Sequence, residues 1–402
     1  MAKLILDINC RPGNDCTRIS VGFRGLPVGW RKEVSYEIAG PDAPLSLSVA
    51  NFAVIAALPA AMSLGGTLHC NSEVDADFLE NIEDCMEAWC RWRPDLFHRV
   101  VISVDKERPP TASSNRKAIM AFSGGLDAAF ALHAHKTNLM GRRSLEIESA
   151  VLIQGFDLKA DDDVAFETAR RHAHEILNSY GVRLNTVRTD WRSPFCVDWG
   201  ATHMLGVASV LQLFRDGFGA AVFADDVTYE SQVQGWSNNA ITNRMMGSAA
   251  YPVRTVGAAH SRTAKAAAVA SNPKILEHVR VCWEKPELGA NCGTCEKCVR
   301  TKMNFYAAGA KSVPALGTPA EKGDILRQPA DGNFVYRYSD MLEAGTWSEE
   351  DPLRRVVAEK VHQCQLRQIS ATKDARRRKR GLLARTMRHM PPAFLRAMVW
   401  RG

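Results

Sequence analysis

The sequence predicts an α/β chain: a parallel-sheet domain carrying a four-cysteine metal subdomain, preceded by a small α+β domain. Three observations lead there. From Lys117 onward, short apolar runs alternate with helical patterns, as β-α units around a parallel sheet do. Before residue 112, strand-like runs follow one another with helices between them. Cys282, Cys292, Cys295 and Cys298 are spaced C-x9-C-x2-C-x2-C, which suits a tetrahedral metal.

Size and charge narrow the class. At 402 residues the chain exceeds one minimal domain. Apolar residues at 46% and charged residues at 24% give an ordinary globular balance, which excludes a wholly disordered or fibrous chain. Val49 to Met62, the longest weakly polar stretch, contains Asn51 and Pro59 and falls short of the ~20 apolar residues of a membrane span. The start, MAKLILDINC, lacks the apolar run of an export signal. The expectation is a cytoplasmic chain whose 11 cysteines are thiols or metal ligands before disulfides. The net charge of +7 is concentrated. Eleven Lys and Arg against one acid lie between Gln365 and Gly402, so the rest of the chain is slightly acidic.

The elements follow in order. LILDI, RISVGF and VSYEIA read as β-rich strands, Leu45 to Met62 as a buried helix ending near Gly65-Gly66. Asp75 to Arg93 sets Phe78, Ile82, Met86 and Trp89 on one helical face, and RVVISV is a strand. ERPPTASSNR, residues 107–116, reads as a linker, giving an N-terminal domain over 1–112. Then come strand KAIMAF, helix Leu126–Lys136, strand SAVLIQGF, helix Asp163–Tyr180, strand VRLNTVRT, helix Gly200–Phe214 and strand AAVFAD. Residues 226–261 read mostly as a loop, long enough for a lid. The second domain covers 117–311 and a C-terminal extension 312–402. The extension holds a helix from Leu353 to Gln368 and a basic helical tail broken at Pro391-Pro392.

The strand KAIMAF runs into Ser123-Gly124-Gly125-Leu126-Asp127-Ala128 and then a helix. Unpaired N–H groups and the dipole at a helix N-terminus favour a phosphate, and two glycines let it come close. Asp127 does not attract phosphate; its natural task is to hold Mg²⁺ bridging the phosphates. The plainer reading is a tight strand–helix turn. At the end of the second strand Gln154 and Gly155 are either components of a nucleotide site or a strand-end turn. Arg262 and Lys265, opening a helix after the long loop, are placed to offset phosphate charge or to be solvated first-turn residues. Asp225-Asp226 ends the fourth strand, and Trp236, Asn238 and Asn239 in the following loop offer stacking and edge bonds to a purine-like substrate. The four cysteines suit a closed structural Zn²⁺ site, with an iron–sulfur cluster as the competitor.

The stretch from Ser123 to Ala128 resembles the SGGxDS loop of the PP-loop (N-type ATP pyrophosphatase) superfamily, with Ala128 where that motif ends in Ser. Together with the C…CGTCEKC motif and Arg300 after it, the stretch from Lys117 to Lys311 resembles the QueC-like 7-cyano-7-deazaguanine synthases. The resemblance implies a HUP-like, adenine nucleotide alpha hydrolase-like fold. It implies ATP, Mg²⁺ and Zn²⁺, and adenylation of a carboxylate on a 7-deazaguanine-like substrate, with ammonia or an amine displacing AMP. In such enzymes Ser123, Gly124, Gly125, Leu126 and Ala128 would cradle pyrophosphate, Lys265 would contact phosphate, and the backbone at Gln154-Gly155 would receive adenine. Homodimers are common among them. Extended relatives stand in antiphage gene clusters (the QatC-type and CBASS-associated kinds), where a deazaguanine is joined to a protein N-terminus. The extra domains would suit such a protein acceptor, and the tail run Arg376-Arg377-Arg378-Lys379-Arg380 offers charge to nucleic acid, anionic lipid or an acidic protein. Two other readings remain: a sulfur transferase acting on RNA, for which Cys196 is the candidate nucleophile, and a nucleotide-binding protein with reduced catalysis.

Overall fold

The computed structural model describes residues 2–367 apart from 194, 233 and 234, together with residue 370. The basic tail expected over 371–402 lies outside the described residues. The chain divides into two compact units, Met1–Ala320 and Glu321–Gly402.

The first unit is a single ten-stranded sheet clad in helices. In chain order it runs β1 (Ala2–Pro12), β2 (Thr17–Arg24), β3 (Glu33–Ala39), α1 (Asn51–Leu64), β4 (Gly66–Asp75), α2 (Ala76–Trp92) and β5 (Val100–Arg108). It continues with β6 (Lys117–Ala121), α3 (Leu126–Lys136), β7 (Glu146–Gln154), α4 (Asp163–Asn178), β8 (Arg183–Thr189), α5 (Trp199–Gln212) and β9 (Ala220–Ala224). The last elements of the unit are β10 (Val253–Val256), α6 (Arg262–Val269), α7 (Pro273–His278) and α8 (Glu296–Ala307). The strand order is β10-β9-β6-β7-β8-β3-β2-β1-β4-β5. The strands from β10 to β8 are all parallel, and β3 joins β8 antiparallel, with Tyr36 opposite Thr189.

The residue pattern explains this layering. β6 after Lys117, and β9 throughout, are apolar because helices cover both faces. Ile119, Val151 and Phe223 face one core, which α1, α2 and α5 complete; Met120, Leu152 and Val222 face the other, under α3, α4, α6 and the cysteine segment. β2 alternates buried and exposed residues, as a strand covered on one face does. Helix α1 is apolar all round and buried from Asn51 to Met62. Residues 107–116 therefore do not divide the chain into separate sheets. Residues 1–112 and 117–311 share one sheet and one core, held by the β3–β8 ladder and by Trp191, whose Nε1 donates to the Ala56 carbonyl at 2.9 Å.

Two strands were not expected. β4 follows Gly65 directly, parallel to β1 and β5, and β10 lies inside the stretch read as a loop, parallel to β9. No helix among the described residues is long and apolar enough to cross a membrane.

In the second unit α9 (Lys322–Arg327), α10 (Gly332–Ala344) and α11, over 352–367, form a helical cluster. Lys360 on α11 is buried and donates to the carbonyls of Ile325 at 2.7 Å, Leu326 at 3.0 Å and Gln328 at 2.6 Å. A cation on the carbonyls at a helix C-terminus satisfies groups the helix leaves unpaired.

Candidate functional site

The strand order places the site. From β6 the chain moves to β7 and β8 on one side, and then returns to β9 on the other. That reversal is a topological switch point, and in open α/β sheets it opens a crevice beyond the C-terminal strand ends. The loop after β6 is Ser123-Gly124-Gly125, and the loop after β9 begins with Asp225-Asp226.

Gly124 takes φ of +78°, a left-handed turn that glycine enters freely. The Ser123 hydroxyl oxygen accepts from the Gly125 N–H at 3.3 Å. Helix α3 then starts at Leu126 with Gly125 as N-cap and no side chain capping it among the described residues. Its first N–H groups are thus available to an anion. Ala128 is buried in the core under α3.

Asp127, in the first turn of α3, is held between two cations. Lys265 Nζ donates to Asp127 Oδ1 at 3.0 Å and to the Asp225 carbonyl at 2.6 Å. Arg262 donates to Asp127 Oδ2 at 2.5 Å and to Thr301 Oγ1 at 3.2 Å. Both cations come from the first turn of α6, which Ser261 caps by accepting from the Ala264 N–H. Lys265 is only 1% exposed. Burial pushes the Asp127 carboxyl up, but the Arg262 and Lys265 charges outweigh it and hold the group well below the usual carboxylate range. In the sequence Asp127 lies 135 residues from Arg262 and 138 from Lys265, and the fold brings it to them. Asp127 fits Mg²⁺ in kind, as an ionised oxygen donor. Each of its oxygens accepts from one cation, which leaves a further lone pair on each for a metal.

Beside this clamp, Asp225 is buried and accepts from the Ala258 N–H at 3.2 Å; burial pushes its carboxyl up to about 6. Asp226 accepts from Trp236 Nε1 at 3.2 Å. Trp236, His203 and Trp199 follow one another at centroid spacings of 5.3 and 5.4 Å, and the Arg192 guanidinium lies 4.4 Å over the Trp199 ring. Trp236 keeps the stacking role open to it. Asn238 and Asn239 do not share that role: both are buried, Asn238 donates to the Ala224 carbonyl at 3.0 Å, and Asn239 accepts from the Ile241 N–H at 2.9 Å.

At the end of β7, Gln154 is buried and its amide donates to the Lys159 carbonyl and to Asp163. Gly155 has φ of +105°, and a Cβ there would lie 1.8 Å from the Thr189 carbonyl oxygen, so no other residue fits. Cys196 is half-buried and accepts from the Thr202 hydroxyl; burial raises its thiol, the opposite of an activated nucleophile.

The four predicted cysteines converge. The sulfurs of Cys282, Cys292, Cys295 and Cys298 lie within 4.8 Å of one another. Two of the separations are 3.8 Å (Cys282–Cys295) and 4.0 Å (Cys292–Cys298). Tetrahedral Zn–S bonds of ~2.3 Å require sulfurs about 3.8 Å apart, so the set fits a metal such as zinc. Backbone N–H groups of Cys295 and Cys298 point at the sulfurs of Cys292 and Cys295, at 3.3 and 3.5 Å. Asn291, which the sequence did not single out, ties the segment together. Its oxygen accepts from the N–H groups of Val281 and Cys282, and its nitrogen donates to the carbonyls of Val279 and Ala315.

The cysteine segment also touches the glycine loop. The Arg280 N–H donates to the Gly124 carbonyl at 2.8 Å, so the first metal ligand lies two residues from a loop contact. Compared with family models, with curated proteins and with solved structures, the chain matches none of them.

Proposed function

We propose that the chain is an AMP-forming ATP-dependent ligase, QueC-like in its chemistry, acting on the carboxylate of a 7-deazaguanine-like substrate. The observation that carries this reading is the Asp127–Lys265–Arg262 clamp beside the uncapped start of α3, at the switch point of a parallel sheet. A buried site with two cations, a glycine turn and free helix N–H groups suits a polyphosphate better than any uncharged ligand.

In this reading a substrate carboxylate oxygen attacks the α-phosphorus of ATP, and pyrophosphate leaves. Ammonia or an amine then attacks the carbonyl carbon of the acyl adenylate. AMP leaves with the electron pair of the broken C–O bond, and the amide results; a further ATP round would remove the amide oxygen to give a nitrile. Lys265 and Arg262 stabilise charge on the departing pyrophosphate, and the Ser123–Ala128 backbone orients it. Mg²⁺, held by Asp127 with the phosphates, would supply further charge neutralisation. Zinc on the four cysteines would have a structural task, since a closed thiolate site offers no open position. Trp236, with Asp226 at its indole N–H, supports a planar heteroaromatic substrate beside the clamp.

The neighbouring readings are less well supported. Sulfur transfer to RNA needs an activated thiol, and the Cys196 thiol is raised. A nucleotide-binding protein with reduced catalysis rests on Ala128 alone. A cytoplasmic homo-oligomer of a defence system, with a protein acceptor for the activated carboxylate, is the setting we propose for the extended flanks.

The test is carboxylate-dependent exchange of labelled pyrophosphate into ATP by the zinc-loaded protein. Exchange that requires 7-carboxy-7-deazaguanine supports the adenylation step. No exchange with that substrate, while nucleotide binding is intact, overturns the substrate assignment.

A further inference from the structure

Arg280 has almost no exposure, at 6%, and makes no ion pair among the described residues; the exposed Asp157 and the Cys282 sulfur act on it only at longer range. Its guanidinium makes one long contact, donating to the Cys282 carbonyl at 3.4 Å, and its Nε has no hydrogen-bond partner. An arginine side chain does not lose its proton in a protein, so a buried one with a single long hydrogen bond carries a cost. Such a cost persists where a ligand relieves it.

The surroundings say what that ligand is. Arg280 packs on the glycine loop: its N–H holds the Gly124 carbonyl, and its Cβ would sit 3.6 Å from a Cβ built on Gly124. The buried Nε of Arg262 is likewise without a partner. Lys297, half-buried in the first turn of α8, is joined to Arg262 through Thr301, whose hydroxyl donates to the Lys297 carbonyl at 2.8 Å and accepts from Arg262 at 3.2 Å; no ion pair to its ammonium occurs among the described residues. Asp127 thus stands among three cations, Arg262, Lys265 and Lys297, and the loop beside it is held by the backbone of a fourth, Arg280. The other acids close by, Asp157 and Asp226, are exposed, and Asp225 is the buried one.

We propose that Arg280 and Lys297 form a second anion-binding arm, through which the cysteine segment contributes cations to a diphosphate group seated at the Ser123–Ala128 loop. This rests on the phosphate-loop reading above and adds residues to it that neither the glycine motif nor the α6 cations contain. The arm gives the metal site a direct task. It fixes the Arg280 backbone against Gly124 and so sets the distance between the two cation groups.

The test is titration calorimetry of the full-length, zinc-loaded protein with inorganic pyrophosphate, comparing wild type with Arg280→Gln, Arg280→Lys and Lys297→Gln. Arg280→Gln is expected to weaken binding roughly tenfold or more, and Arg280→Lys to recover some of it, because an ammonium lacks the guanidinium fork. Zinc content stays unchanged. Without ligand, the melting temperature of Arg280→Gln is equal to or above wild type, since an unpaired buried charge has been removed; a purely structural arginine would lower it. Wild-type affinity in Arg280→Gln overturns the inference and leaves the phosphate loop standing. A wild-type protein that does not bind pyrophosphate overturns both. Should Arg280→Gln lose zinc, Lys297→Gln decides, and unchanged affinity in that variant overturns the inference.

Discussion

The peptide N–H of Arg280 donates to the carbonyl of Gly124 across 2.8 Å, joining the segment that carries the metal-ligating cysteines to the loop that starts α3. These residues lie far apart in the sequence, and neither of the two motifs around them implies the contact. It makes the cysteine segment a support of the glycine loop.

Zinc removal is therefore predicted to affect more than local order. One zinc per chain is expected by elemental analysis, with four sulfur ligands. Chelation, or Cys298→Ser at a fully buried ligand, should lower the melting temperature and reduce nucleotide affinity together. A metal-free protein that keeps full nucleotide affinity would break the proposed link, and visible absorption from an iron–sulfur cluster would replace zinc.

Lys265→Met leaves the half-buried Asp127 with Arg262 as its one remaining ion-pair partner among the described residues. The carboxylate loses one of two charge-assisted bonds, worth about 1.5–3 kcal/mol, and urea unfolding should show a loss of that order. Pyrophosphate release in the adenylation assay should fall roughly a hundredfold or more, on the order of a lost transition-state charge contact. A stable Lys265→Met protein with normal turnover would remove Lys265 from the site.

Acid and base limits are set by two different carboxyls. Asp127 has a folded value far below its unfolded one, so its stabilisation is complete above about pH 4 and is lost as pH falls through the folded value. Asp225 is raised to about 6. Between the unfolded value and 6 the folded state binds more protons, so this group makes stability fall as pH rises through that interval. Asp225→Asn is predicted to flatten the fall, by on the order of 2–3 kcal/mol at neutral pH. Identical pH–stability curves for the two proteins would show that Asp225 is not so perturbed.

Two glycines separate steric need from functional need. Gly155→Ala would drive a methyl group to 1.8 Å from the Thr189 carbonyl, and strand β8 would have to give way. Gly124→Ala meets nothing nearer than the Arg280 Cβ at 3.6 Å, so its cost is the left-handed backbone alone, about 1–2 kcal/mol. Chemical denaturation should find Gly155→Ala several times more damaging. Equal losses would mean that the loop at Gly124 is as tightly confined as the β7–β8 crossing.

How much of this is legible in the sequence depends on range. Ser123–Asp127 and the four cysteines are readable because strand, turn and ligand spacing are local patterns. Arg262 and Lys265 are readable as first-turn cations, while their meeting on Asp127 depends on how β6 and β9 lie side by side. The β3–β8 pairing of Tyr36 with Thr189 is non-local, so segments that read as separate domains share one sheet. β10 is four residues long, too short to leave a periodic signal. Asn238 and Asn239 look like substrate contacts because exposed loop asparagines often are; here both are buried. Arg280 leaves no signal, since only the fold shows a buried cation without an acid.

The most direct test of the central claim is product analysis by mass spectrometry. Zinc-loaded protein would be given Mg-ATP, 7-carboxy-7-deazaguanine and ammonium, with Asp127→Asn as the control. The account predicts AMP and pyrophosphate with an amide or nitrile of the base, and none of these from Asp127→Asn. ATP bound but never cleaved to AMP, or equal AMP from the Asp127→Asn protein, would contradict it.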